Sequence, residues 1–215
     1  MTKKEIFNRI FPTACRYMRA DVNRIDDEFT EKSFVLFEEL TECARFKGLH
    51  EFVDKDSFFS IDPELTSSSE DLNFYMDGCE RLVIFATTLG VDVDARSRKL
   101  QASDMSKAVI FDALSSAFLE YKTDEYEESL NLGEHTFRFA PGYGDIPIAL
   151  NYILLDVYSI AKKIGIFKAS NNLMLPQKSM ITMCGLGKKS IPSCRNCIRL
   201  SSCSLRKEGY RCYNS

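Results

Sequence analysis

Helix-like and strand-like segments follow one another along this chain without a steady strand–helix–strand rhythm, and that limits the folds open to it. A doubly wound parallel sheet needs that rhythm. An α+β fold, with a mainly antiparallel twisted sheet and packed helices, does not, and it is the expected architecture. Residues 1–50 read as helical, with Phe34, Phe37, Leu40 and Ala44 at helical spacing and Gly48 as the cap. Thr66–Asp71 reads as a loop, and Leu72–Met76, Asp77-Gly78 and Glu80–Leu89 as a hairpin, because Asp-Gly readily takes positive φ angles. Ser103 is expected to cap a helix over Asp104–Tyr121 whose apolar side carries Met105, Ala108, Val109, Leu114, Ala117 and Phe118. A strand is expected at His135–Ala140 and a loop at Pro141–Gly144. Asp145 then caps a helix with Pro147 in its first turn, Leu150, Ile153, Leu154, Val157 and Ile160 as its stripe, and Gly165 after its end. Leu173–Leu186 reads as one or two strands around Pro176.

With 215 residues, 45% of them apolar and 27% charged, the chain can bury a real core. Its most apolar stretch, Ile146–Phe167, is interrupted by Asn151, Asp156, Lys162 and Lys163, which argues against a membrane span. Asn8 and Arg9 follow Ile6 and Phe7 at once, so no signal-peptide apolar region can be drawn, and the expected compartment is the cytoplasm. Net charge is −3, unevenly spread: seven Lys or Arg from Lys188 onward against Glu208 alone make that tail +6 and leave −9 for the rest. A basic tail on an acidic body can meet an acidic protein or a nucleic acid, or be a solvated tail.

Cys15, Cys43, Cys79 and Cys184 stand singly among apolar neighbours, as buried thiols do. Cys194, Cys197, Cys203 and Cys212 crowd the last 22 residues. In a reducing compartment this cluster points to a metal or redox site, since four thiolates can close a zinc site or hold an iron–sulfur cluster. The spacing Cys-x2-Cys-x5-Cys-x8-Cys does not choose between them, and unliganded thiols are the remaining reading.

The segment Arg138-Phe139-Ala140-Pro141-Gly142-Tyr143-Gly144-Asp145 has a readable chemistry. An Arg at a strand end offers a rigid fork of donors for a carboxylate. Two glycines let the backbone approach a ligand, Tyr143 supplies a phenol, and the loop leads into a helix N-terminus. These features suit the carboxylate end of an amino-acid-like ligand. Pro-Gly-Tyr-Gly is also an ordinary tight turn with a structural Arg beside it, and from the residues alone both readings stand.

Arg138-x-x-Pro-Gly-Tyr resembles the signature of the activation domain of cobalamin-dependent methionine synthase. Three more stretches fit that family in order. Phe85–Gly90, followed by Asp94 and Arg96, resembles its strand and helix entry; Asp112–Tyr121 resembles its central helix; and Leu173-Met174-Leu175-Pro176-Gln177-Lys178-Ser179 resembles its Met-x-Pro-x-x-Ser strand. The resemblance covers residues 72–187. It implies a domain over 1–187, with a helical part at 1–71, a family-like core at 72–187, and a separate cysteine-rich tail at 188–215.

The resemblance also implies that Arg138, Ala140, Gly142 and Tyr143 hold S-adenosylmethionine, with Glu120 near the ligand. Read by itself, Glu120 is a polar residue near a helix end, as often solvated as functional. No acidic residue within 1–60 matches the family's N-terminal ligand contact, and the further Tyr that approaches the ligand has no counterpart where this chain enters its tail. The implied function is that of a separate reactivation subunit within a methyltransferase system for methionine biosynthesis, positioning a sulfonium methyl for reductive methylation of cob(II)alamin. Cobalamin would then come from a corrinoid-binding methionine synthase partner, because neither His50 nor His135 sits in an Asp-x-His-x-x-Gly motif. The electron would come from a protein such as a flavodoxin or ferredoxin; neither membrane nor nucleic acid is an implied partner. The alternative is a non-enzymatic, metal-dependent binding module whose basic cysteine tail contacts nucleic acid or an acidic protein.

Overall fold

The computed structural model describes residues 1–169 and 173–189, together with Ser201 and Gly209. Its helices are α1 (Lys3–Tyr17), α2 (Asp27–Cys43), α3 (Lys55–Phe59), α4 (Pro63–Ser67), α5 (Glu70–Met76), α6 (Val91–Ser103), α7 (Met105–Ser129), α8 (Leu150–Val157) and α9 (Ile160–Ile164). Its strands are β1 (Lys47–Asp54), β2 (Arg81–Thr88), β3 (Phe167–Lys168), β4 (Met174–Leu175) and β5 (Ser179–Leu186). A three-stranded sheet has the order β1-β2-β5. Lys55 N donates to Glu80 O at 2.8 Å and Arg45 N to Leu89 O at 2.7 Å, so β1 and β2 run in opposite directions. The fold is α+β with an antiparallel sheet, as the sequence implied.

The chain divides into two units. The first, Met1–Gly48, Thr87–Ser129 and Met174–Ser179, is chiefly helical. Thr2 opens α1 with a reciprocal cap: its hydroxyl accepts from Glu5 N at 3.2 Å and Glu5 accepts from Thr2 N at 2.7 Å. The helix α7 packs against α1, α2 and α6, so it is buried on several sides and not along one stripe. Ala108, Leu114, Ala117 and Phe118 are buried as expected, whereas Met105 and Val109 are exposed. Aromatic contacts join three of these helices: the Phe7 ring of α1 lies 5.7 Å from Phe37 of α2, and Phe37 meets Phe118 of α7 edge-on at 5.5 Å.

The second unit, Leu49–Ala86, Leu130–Leu173 and Met180–Ser215, holds most of the sheet. Central β2 is hydrogen-bonded on both sides and buried from Leu82 to Ala86, which accounts for its unbroken apolar run.

Several local expectations change. Residues 47–50 are the start of β1, not helix. Gly48 caps nothing: α2 ends on Ala44, and a Cβ at Gly48 would lie 2.7 Å from the Tyr126 ring, so glycine is there for close packing. Thr66–Asp71 is not loop but the end of α4 and the start of α5. Leu72–Met76 is not a hairpin strand but the body of α5, because Leu72, Tyr75 and Met76 are buried at helical spacing and Ser69 accepts from Leu72 N at 3.0 Å. Gly78 does take a positive φ of 73°, in a turn that joins helix to strand. Asp104, not Ser103, caps α7, accepting from Lys107 N at 3.1 Å, while the Ser103 hydroxyl donates back to Lys99 O. The strand expected at 135–140 is reduced to two bridges, His135 with Leu186 and Phe139 with Met183. The single helix expected after Asp145 begins at Leu150 and breaks at Ser159, whose φ is 52°; Gly165 ends α9 with φ 80°.

Candidate ligand-binding loop

The segment that carries Arg138, Ala140, Gly142 and Tyr143 lies wholly in the second unit. It leaves the edge of β5: Phe139 N donates to Met183 O at 3.0 Å, and Met183 N returns a bond to Phe139 O at 2.7 Å. Beyond Phe139 the backbone closes on itself. Tyr143 N donates to Ala140 O at 3.0 Å, Ile146 N to Tyr143 O at 3.0 Å, and Gly142 N to Ile146 O at 2.8 Å. Gly142 and Gly144 take φ values of 89° and 59°, which glycine adopts without strain. Arg138 is half-buried, and Tyr143 is 40% exposed at the tip of the turn.

Two aspartates pin this loop to α5. The Asp145 carboxylate accepts from Ser69 Oγ at 2.5 Å, from Glu70 N at 2.8 Å and from Asp71 N at 3.1 Å, and so closes the N-terminus of α5. In return, Asp71 Oδ2 accepts from Asp145 N at 3.0 Å. Burial pushes the Asp145 carboxyl up, but the bonds from Ser69, Glu70 and Asp71 outweigh it and leave the group below the usual carboxylate range. Gly144 lies so close that a Cβ there would fall inside the Asp71 carboxylate. One turn along α5, Tyr75 stacks on Phe139 at 5.0 Å, meets Phe137 edge-on at 5.0 Å and lies 6.4 Å from the Tyr143 ring. Asp145 therefore does not cap the helix that follows it, as the sequence suggested; it caps one 75 residues earlier.

Ser69, Asp71 and Tyr75 were not expected from the sequence. Their signal is present all the same: Ser69 followed by Glu70 and Asp71, then Leu72, Tyr75 and Met76 at helical spacing, is a helix start.

Glu120 lies on α7 in the first unit, where it accepts from the Tyr17 hydroxyl. Burial, and then the charge of Glu120, raise the Tyr17 phenol above its ordinary range. Asp112, Ser116 and Glu120 follow one another at four-residue intervals. Against the first two lies Lys178, 13% exposed, whose Nζ donates to Ser116 Oγ at 2.9 Å and pairs with Asp112 at 2.7 Å. Gln177 N donates to Asp94 Oδ2 at 2.9 Å. The Met-x-Pro segment is thus tied to both α7 and α6 within this unit. A shallow depression of about 250 Å³ in the same unit is lined by Tyr17, Met18, Met105 and Val109 among others, and by none of the five residues singled out for ligand binding.

Cys194, Cys197, Cys203 and Cys212 lie outside the described residues. Among the described residues, no group of three or more His, Cys, Asp or Glu is placed to hold a metal ion, and no helix is long and apolar enough to cross a membrane. Cys15, Cys79 and Cys184 are buried, while Cys43 is only partly so; burial pushes the Cys15 thiol up to about 11.

No protein-family model matches the chain, and no curated protein matches it. Among solved structures, the crystal structure of the MetH reactivation domain bound to AdoHcy matches with a TM-score of 0.62. The match covers 98% of this chain and 84% of that one, at 12% identity. The fold is that of the MetH reactivation domain. At such identity the likeness establishes the fold alone.

Proposed function

We propose that this chain binds S-adenosylmethionine and serves as the separate reactivation subunit of a cobalamin-dependent methionine synthase. The observation that carries the reading is a coincidence of fold and loop. The chain shares its fold, over 98% of its length, with a domain whose crystal structure contains AdoHcy. It also presents Arg138-x-x-Pro-Gly-Tyr as a closed turn with an exposed phenol.

In this reading the loop binds the amino-acid end of the ligand. Arg138 grips the carboxylate through its planar fork, Ala140 and Gly142 bring backbone close to the ligand, and the Tyr143 ring covers it. The work of these residues is to bind and align the sulfonium methyl, so none of them serves as an acid or base. A corrinoid carried by the partner supplies the nucleophile, and a flavodoxin- or ferredoxin-like protein the electron. The four tail cysteines are proposed to hold zinc or an iron–sulfur cluster.

The test is calorimetric titration of S-adenosylmethionine into wild-type protein and into Arg138→Ala. Wild type is expected to bind, and the variant to bind roughly 10- to 100-fold more weakly, the loss of one or two charged hydrogen bonds. Equal binding by both removes Arg138 from the site. No binding by folded wild type, with or without the corrinoid partner, overturns the proposal.

A further inference from the structure

The second unit holds a feature that the family-like motif does not contain. Asp71 and Tyr75 stand one helical turn apart on α5, and both face the Arg138–Asp145 segment. Asp71 acts at its far end, through Asp145 N; Tyr75 acts along its near side, on Phe137, Phe139 and Tyr143. Asp145 closes the arrangement from the other direction by taking Ser69 Oγ and two backbone N–H groups of α5. The turn is therefore held from outside as well as by its own hydrogen bonds.

We infer that Asp71 and Asp145 are positioning residues for the ligand-binding loop, fixing Gly142–Gly144 in the conformation that presents Tyr143. This rests on the functional reading above. Three observations separate it from a general packing role. The two carboxylates bond reciprocally across 74 residues of sequence, so each restrains the other's segment. Asp71 is 5% exposed, and a carboxylate buried this far is retained only where its bonds are made. Gly144 sits against Asp71 with no room for a Cβ, so the loop can occupy this place only while both residues keep their positions. An unpinned loop would have to be ordered at the moment of binding, and the affinity would fall by the fraction of time it spends competent.

The experiment uses the full chain and four variants: Asp145→Ala, Asp71→Ala, Asp71→Asn and Asp145→Asn. Each is titrated with S-adenosylmethionine and with AdoHcy, and amide exchange is followed over peptides spanning 138–148 and 105–129. Asp71→Asn keeps an oxygen that can accept from Asp145 N, so it is expected to bind within about twofold of wild type. Asp71→Ala and Asp145→Ala are expected to bind roughly tenfold or more weakly, and to exchange faster at 138–148 with no change at 105–129. Asp145→Asn loses one of two acceptor oxygens and falls between. Folded alanine variants that bind like wild type overturn the inference, as does an asparagine at 71 as damaging as alanine. If wild type binds neither ligand, the proposed function falls, and exchange still decides the latch: unchanged rates at 138–148 in Asp145→Ala overturn it.

Discussion

Replacing Gly144 by Ala tests how tightly the loop is built, and Gly142→Ala supplies an internal control. Both glycines have positive φ, 59° and 89°, where an L-residue is strained by about 1–2 kcal/mol. At Gly142 nothing more is lost, because a Cβ would lie 3.6 Å from Ile148, ordinary van der Waals contact. At Gly144 the Cβ collides with Asp71, whose carboxylate must leave its place and release Asp145 N. A hydrogen bond to a charged group contributes about 1.5–3 kcal/mol, so Gly144→Ala should cost about 2.5–5 kcal/mol against about 1–2 for Gly142→Ala. Urea unfolding measures the difference directly; at a slope of about 2 kcal/mol per molar, 2 kcal/mol moves the midpoint by about 1 M. Equal midpoints for the two variants would refute the packing of Gly144 on Asp71.

Other outcomes follow from bonds elsewhere. Thr123 donates to Leu119 O, so the Thr87 hydroxyl, 2.8 Å away, must donate to Thr123. Thr123→Val then strands a fully buried hydroxyl and should cost about 1–3 kcal/mol, whereas Thr87→Val leaves every donor paired and should cost less than about 1, both by denaturant titration. Gly48→Ala should destabilise by about 1–3 kcal/mol through its clash with Tyr126, and Tyr126→Leu in the same chain should recover much of that loss in a thermal melt. Because the Asp145 carboxyl is held below its unfolded value, its stabilisation is complete above the unfolded carboxylate range and lost as pH falls through the lowered value. Wild type and Asp145→Asn should accordingly differ in stability by a constant amount above about pH 5 and converge below about pH 4. Metal analysis of purified protein should find zinc or iron, released by chelator and diminished in Cys194→Ser with Cys197→Ser; no metal at all would remove the tail from the proposal.

What the sequence revealed, and what it concealed, divides by the range of the forces involved. The long apolar run of β2 and the helical spacing of Phe34, Phe37 and Leu40 are local patterns, and they led to a strand and a helix. The fold class was legible for the same reason. Leu72–Met76 was misread because Asp-Gly matched a hairpin turn, while the partner that stabilises α5, Asp145, lies far along the chain. The loop residues Arg138 to Tyr143 stood out by their resemblance to a family motif, but Asp71 and Tyr75, which hold the loop, are ordinary residues in an ordinary helix. Gly48 looked like a cap because a glycine after an apolar run often is one; only the Tyr126 ring, in a distant helix, shows why it is there.

The division of the chain into two interleaved units bears on how such a protein can be dissected. The chain passes from one unit to the other at Gly48, Ala86, Ser129, Leu173 and Ser179. No contiguous fragment therefore holds one whole unit without parts of the other, and a deletion that passes Gly48 from the start, or Met180 from the end, removes parts of both. Clones shortened that far would say nothing about which unit holds a ligand. Point substitutions in the intact chain are the means by which this architecture can be mapped.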